Sequence, residues 1–171
     1  MMKQNKVTMW ITGILSILVL VLLDQYTKGL SVKYLKDQAD IPIIKDVFEL
    51  AYVENRGAAF GMMQNKQTFF IITTILVLGL ILWIFHTMPM EKKFLPGRIT
   101  LVFIIAGAVG NFIDRVSQGF VVDFLYFKLI DFPVFNVADI YVTCAVFVLA
   151  FLLLIYYKEE DIDRIMKMGR K

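Results

Sequence analysis

Four long apolar blocks, Thr8 to Leu23, Thr68 to Phe85, Ile99 to Ile113 and Val137 to Tyr157, constrain this chain more than any other feature. At about 1.5 Å per helical residue, each covers most or all of a hydrocarbon core roughly 30 Å thick. Backbone in lipid finds no water for its N–H and C=O groups, so only helices or a closed barrel can cross. Barrel strands alternate apolar and polar residues in segments of roughly ten. These runs are instead continuous and rich in Leu, Ile and Phe. With 58% of its 171 residues hydrophobic, against roughly 45–50% in soluble domains, the chain is expected to be a single-domain, all-α membrane protein with four transmembrane helices.

The first block follows Lys3 and Lys6, as a signal peptide would. The next residues, Asp24-Gln25-Tyr26-Thr27-Lys28, lack the small-x-small pattern of a cleavage site, so a retained helix is expected. The third block is the least lipid-like, because it runs into Asn111, Asp114 and Arg115; that end should face protein or water. Its Ala106-Gly107-Ala108-x-Gly110 stretch lets a neighbouring helix come close. Four spans put both termini on one side of the membrane. The termini and the loop His86 to Arg98 hold ten of the 18 Lys/Arg; that loop has only Glu91 against Lys92, Lys93 and Arg98, and the tail ends in Arg164, Lys167, Arg170 and Lys171, whereas the basic residues of the first connection are matched by acids. Both termini are therefore expected in the cytoplasm of the cell.

The first connection, Asp24 to Gln67, has structure signals of its own. Ile41-Pro-Ile-Ile-Lys-Asp-Val-Phe-Glu-Leu-Ala-Tyr-Val is β-branched and aromatic with partial alternation, and it runs into the turn-forming triplet Asn55-Arg56-Gly57. A small antiparallel sheet over about 40–65, lying on the membrane face, is expected, with Phe120 to Phe127 offering another extended piece. Residues 159–171 read as a charged helical tail or a frayed end.

Several function classes are excluded early. A net charge of +3 with no Arg-rich arm gives no support to nucleic-acid binding. The single Cys144 can build neither a disulfide nor a Cys-based metal site within one chain, the single His86 has no second His to complete a metal set, and the two lie in or beside different apolar blocks, too far apart for a Cys/His pair.

The polar residues near the apolar blocks each require a reason, since an ionisable group at bilayer depth costs several kcal/mol unless paired or wet. Asp24 and Lys28 stand four apart with the acid first, the favourable order for a helical ion pair. Asp114 adjoins Arg115 and reads as its structural partner, although Arg115 could equally hold a substrate carboxylate or carbonyl. Asn136 and Asp139 lie three apart at the start of the fourth block. There Asn136 as an N-cap, with Asp139 at the positive end of the helix dipole, accounts for both. Asp123, in an apolar stretch with no basic neighbour before Lys128, has no local partner and points to a companion elsewhere. If Asp123 and Asp139 meet at the interface, like charges keep one proton on the pair, and one carboxylate can activate water while the other donates. Asp131, before Phe132-Pro133, ranks behind them as a solvated loop acid.

These motifs in this order resemble bacterial lipoprotein signal peptidases, also called signal peptidase II. They are Asp24-Gln25-x-Thr27-Lys28, Glu54-Asn55-Arg56-Gly57-Ala58-Ala59-Phe60-Gly61, Gly110-Asn111-Phe112-Ile113-Asp114-Arg115, Val121-Val122-Asp123-Phe124 and Phe135-Asn136-Val137-Ala138-Asp139. The resemblance covers almost the whole chain. It implies an aspartyl endopeptidase of the bacterial cytoplasmic membrane, with catalytic Asp123 and Asp139. Asn55, Arg56, Gly57, Asn111, Arg115 and Asn136 would contact substrate or support the site, while Asp24, Lys28 and Asp114 would be structural. It further implies a diacylglyceryl-modified prolipoprotein substrate cut just before its lipidated cysteine, no metal or cofactor, inhibition by globomycin-type cyclic peptides, and an extracytoplasmic site to which one chain suffices. The alternative is a small transporter subunit that relays protons or cations through intramembrane acids.

Overall fold

The computed structural model describes residues 6–57, 63, 64 and 66–168; the Ala58 to Gly61 part of the second motif, Lys3, and Arg170 and Lys171 of the tail lie outside them. Among the described residues, four helices are long and apolar enough to cross a membrane: α1 (Lys6–Tyr34), α2 (Gln67–Thr87), α3 (Leu95–Gln118, entered through the 3-10 turn Lys92–Phe94) and α4 (Val137–Phe151, prolonged by a π-helical turn, Leu152–Tyr156). Between them lie β1 (Ile41–Ile44), β2 (Phe48–Asn55) and β3 (Val121–Tyr126), in one antiparallel sheet of order β1-β2-β3. The protein is thus a multi-pass membrane protein with a small sheet, the architecture expected from the sequence, and the Phe120 segment supplies the third strand.

Helices α1 and α3 run well past the apolar blocks that announced them. In α1 the Lys28 ammonium lies 2.9 Å from the Asp24 carboxylate one turn earlier, which lets the helix carry its polar residues on to Tyr34. In α3, Pro96 sits in the first turn, where its missing N–H costs nothing. The helix ends at Gly119, whose φ of 78° suits glycine and whose N–H caps the Arg115 carbonyl. Gly119 and Phe120 alone then separate α3 from β3.

The lower hydropathy of α3 follows from its position. Half of its most apolar window is buried inside the protein, against 22% for α1 and α4 and 11% for α2. It needs less lipid-compatible surface because protein surrounds it. Close approach to α4 and α1 depends on its small residues. A Cβ on Gly107 would stand 2.5 Å from the Ala138 carbonyl oxygen, and one on Gly110 would stand 2.5 Å from an Asp24 carboxylate oxygen. Leu101, Val102, Ile104 and Ile105 of α3 pack with Met9 of α1, Ile81 and Phe85 of α2 and Ala145 of α4 into the core. Outward-facing Leu, Ile, Val and Phe residues of α1, α2 and α4 remain exposed for lipid.

The charged tail is helical: α5 (Glu159–Met168) follows a short break after Tyr157. It is tied to the α2–α3 connection by Arg164 to Glu91 and Lys93 to Asp161 ion pairs. Phe94 stacks on Tyr157, whose hydroxyl accepts the Gly97 N–H.

Candidate active site

At the opposite end of the bundle, short connections bring the polar residues of three helices and the sheet together. Antiparallel pairing sets Asp123 opposite Val53, two residues before Asn55 on β2. After β3 the chain makes a turn through Lys128–Ile130 and returns along its own path: the N–H groups of Phe124 and Leu125 both donate to the Phe135 carbonyl, and Phe135 N–H donates back to Leu125. That return places Asn136 beside Asp123 and starts α4 there.

Asn136 is fully buried and joins the two acids. Its Oδ1 accepts the Asp139 N–H at 3.0 Å, and Asp139 Oδ2 accepts the Asn136 N–H at 3.1 Å, a complete capping box. Because that oxygen is committed to a backbone donor, the amide must present Nδ2 on its other side. Nδ2 donates to Asp123 Oδ1 at 2.6 Å and to Asn111 Oδ1 at 3.1 Å. Capping therefore accounts for the local Asn136–Asp139 pair, and the same asparagine also carries the link to Asp123.

Asn55 works in the same way. Its Oδ1 accepts the Gly57 N–H at 2.9 Å, which leaves Nδ2 to donate to Asp123 Oδ2 at 2.8 Å. Asp139 Oδ1 receives Asn111 Nδ2 at 2.7 Å. Both carboxylates open onto one pocket of about 470 Å³, shared with Asn55, Gly57, Arg115 and an apolar wall that includes Phe127, Phe132, Phe135 and Ile140. Burial drives the Asp123 carboxyl up to about 7, helped by the charge of Asp139 and opposed by the Asn55 and Asn136 donors.

Beneath this pocket lies a buried ion-pair chain. Lys28 Nζ is 2.9 Å from both Asp24 Oδ2 and Asp114 Oδ2 and donates to Asn111 Oδ1 at 2.9 Å. Asp24 Oδ1 accepts the Ala138 N–H, so α1 satisfies a free donor in the first turn of α4. Asp114 also accepts the Val122 N–H of β3.

Two readings from the sequence need correction or refinement. Asp114 is not the partner of Arg115: successive helical residues point about 100° apart, and Asp114 turns to Lys28 and Gln25 while Arg115 turns to the pocket. The Arg115 guanidinium lies over the Phe70 ring, 4.9 Å from its centre, and its Nε has no hydrogen-bond partner. Arg56 does not line the pocket; it pairs with Glu54 at 2.9 Å and covers Phe120. Asp131 stands apart, accepting the Tyr126 hydroxyl at 2.7 Å.

Sequence reasoning gave no role to Gln25, whose Nε2 reaches Asp24, the Gly110 carbonyl and Asp114 at 3.0–3.2 Å. Its place three residues before Lys28, on the same helical face, was the available signal. The Phe127, Phe132 and Phe135 wall was likewise missed, although aromatic density around Pro133 hinted at it. Among the described residues, no group of three or more His, Cys, Asp or Glu side chains is arranged to hold a metal ion.

Fold and site together define a polytopic membrane protein with a pocket lined by two carboxylates, one asparagine and one arginine. Comparison with known proteins gives the family. The sequence model described as Signal peptidase (SPase) II matches residues 16–155. The lipoprotein signal peptidase of Brevibacillus brevis is 48% identical over 132 residues, 77% of this chain and 87% of that protein. That of Caldanaerobacter subterraneus is 47% identical over 135 residues, 78% and 90% of the two chains. A solved bacterial membrane enzyme superposes with a TM-score of 0.76 at 32% identity, over 93% of this chain and 97% of that one. The chain belongs to the signal peptidase II family of membrane peptidases.

Proposed function

We propose that this protein removes the signal peptide from diacylglyceryl-modified prolipoproteins at the outer face of the bacterial cytoplasmic membrane, cutting just before the lipidated cysteine with Asp123 and Asp139 as an aspartyl dyad. The observation that carries this is the convergence of the two carboxylates on one pocket through Asn136, in a chain of the signal peptidase II family. Family membership supports the substrate class, and the bias of Lys and Arg toward the termini and the α2–α3 loop supports the orientation.

Asp139, at the start of α4, accepts from Asn111 Nδ2 and the Asn136 N–H, which hold the carboxylate in place. It takes a proton from water as the water oxygen bonds to the scissile carbonyl carbon. Asp123, which holds its proton up to about pH 7, donates it to the carbonyl oxygen, giving a neutral diol. On collapse a diol hydroxyl returns its proton to Asp123, the C–N bond breaks, and the proton on Asp139 goes to the leaving nitrogen. Arg115, with Nε unpartnered and the guanidinium braced on Phe70, donates to a substrate carbonyl and fixes the peptide's register. The acyl chains keep the scissile bond at the interface, which raises its effective concentration at the dyad.

Every residue of this site comes from one chain, so a monomer suffices, and a globomycin-type cyclic peptide that fills the pocket should block it. The acids Asp24, Asp114, Asp123 and Asp139 gather at one end of the bundle, where a transport path would need polar groups through its depth. The test is cleavage of a diacylglyceryl prolipoprotein in detergent by wild type, Asp123→Asn, Asp139→Asn and Asp131→Asn. Turnover is expected to vanish in the first two variants and persist in the third. Near-normal cleavage by folded Asp123→Asn or Asp139→Asn would overturn the dyad.

A further inference from the structure

From the hydrogen-bond polarity of the buried network, we propose that Lys28 is a positioning residue for catalysis, whose ammonium fixes the sense of the Asn111 amide so that Asn111 always donates to Asp139. This rests on the dyad reading above. An ammonium has donors only, so the Asn111 atom that meets Lys28 Nζ at 2.9 Å must be the oxygen. The same oxygen accepts Asn136 Nδ2 at 3.1 Å. With Oδ1 thus held from two sides, Nδ2 is the atom left to face Asp139 Oδ1 at 2.7 Å.

Each amide of the site is oriented by a group that cannot reverse its role. Asn136 is set by the Asp139 N–H and Asn55 by the Gly57 N–H, both backbone donors. For Asn111 the donors are the Lys28 ammonium at 2.9 Å and Asn136 Nδ2 at the longer 3.1 Å, and the ammonium is the charged and shorter of the two. Without the ammonium, Asn111 can turn its amide over and offer Oδ1 to Asp139. An oxygen facing a carboxyl group favours the protonated acid, and a protonated Asp139 is no base.

The charged and titratable groups around Asp139 are few. Helix α1 contributes Asp24 and Lys28, α3 contributes Asp114 and Arg115, β3 contributes Asp123, and α4 contributes Asp139 itself with Cys144, which lines the same pocket, and Tyr141, whose buried hydroxyl has no partner. Lys28 is only 3% exposed, so its charge acts on this network with little screening. Its neutralisation of Asp24 and Asp114 is a separate, structural duty, and the two can be told apart.

Lys28→Met removes the ammonium while keeping the stem. Lys28→Met/Asp114→Asn removes one charge of each sign, and so relieves the unpaired acid should the single variant fail to fold. For the folded variant, kcat on a lipidated prolipoprotein at pH 7 is expected to fall on the order of tenfold or more, as for loss of a charge-assisted hydrogen bond, with KM little changed. The acidic limb of the kcat profile should move to higher pH by about one unit, narrowing the profile toward the alkaline limb that Asp123 sets. Lys28→Arg, if folded, keeps a donor cation and should keep the limb. An unmoved limb, an equal loss at every pH, or failure of both Lys28→Met variants to fold would reduce Lys28 to a structural role and overturn the proposal. Failure of the dyad reading would show separately, as turnover retained by Asp139→Asn in a Lys28 wild-type background.

Discussion

Replacing Gly110 with alanine tests whether the close contact of α1, α3 and α4 holds the site together. An alanine Cβ would lie 2.5 Å from Asp24 Oδ2, 3.1 Å from its Cγ and 3.3 Å from the Ala138 Cβ. Asp24 cannot swing away freely, because Oδ1 holds the Ala138 N–H at 2.9 Å and Oδ2 holds Lys28 at 2.9 Å. Either the helices separate or the carboxylate gives up one partner. Overpacking of this kind costs about 1–3 kcal/mol, and outright loss of a buried ion pair about 3–5 kcal/mol. Alanine's advantage over glycine inside a helix returns only about 0.5–1 kcal/mol. The net loss should be about 1 kcal/mol if the helices separate and about 2–4 kcal/mol if the ion pair is lost. Gly29 and Gly79 serve as internal controls, since a Cβ at either meets nothing within 4 Å. Their alanine variants should be neutral or slightly stabilised. The assay is reversible unfolding of the purified protein in mixed micelles of mild detergent and dodecyl sulfate, followed by helical circular dichroism. Prolipoprotein cleavage should fall with stability in Gly110→Ala, because the displaced Asp24 caps the turn of α4 that carries Asp139. If Gly110→Ala proved as stable and as active as Gly79→Ala, the proposed packing of these helices through Asp24 would be wrong.

Three further outcomes follow from the site. On the proposed dyad mechanism Asp123 acts as the acid and must hold its proton, so turnover should decline as pH rises through about 7. Asn55→Ala removes a donor that favours the carboxylate, and should move that alkaline limb to higher pH in a kcat profile. Asn136→Ala removes an N-cap worth about 1 kcal/mol together with the donor to Asp123; it should lower unfolding stability by at least that amount and abolish cleavage, whereas retained cleavage would show that the link between the acids is dispensable.

The local relations in this protein were legible from its sequence. Apolar run lengths marked the four spans, β-branched patterning marked the sheet, and spacings of three and four marked the Asn136–Asp139 box and the Asp24–Lys28 pair. These depend on helix and strand periodicity, which neighbours in the chain fix by themselves. Element ends were less legible: α1 and α3 continue beyond their apolar blocks because tertiary partners, Lys28 with Asp114 and Gln25 with Gly110, make polar helical residues tolerable inside the bundle. The family motifs named Asp123 and Asp139 in advance, but no spacing showed that they meet. Their approach depends on the return of the chain at Phe135 onto β3 and on the seating of Asn136 between them. The partner of Asp114 was misread for the same reason. Adjacency in sequence suggested Arg115, yet a helix turns neighbours to different faces, and only the packing of α1 against α3 could give Asp114 to Lys28 and leave Arg115 for the pocket.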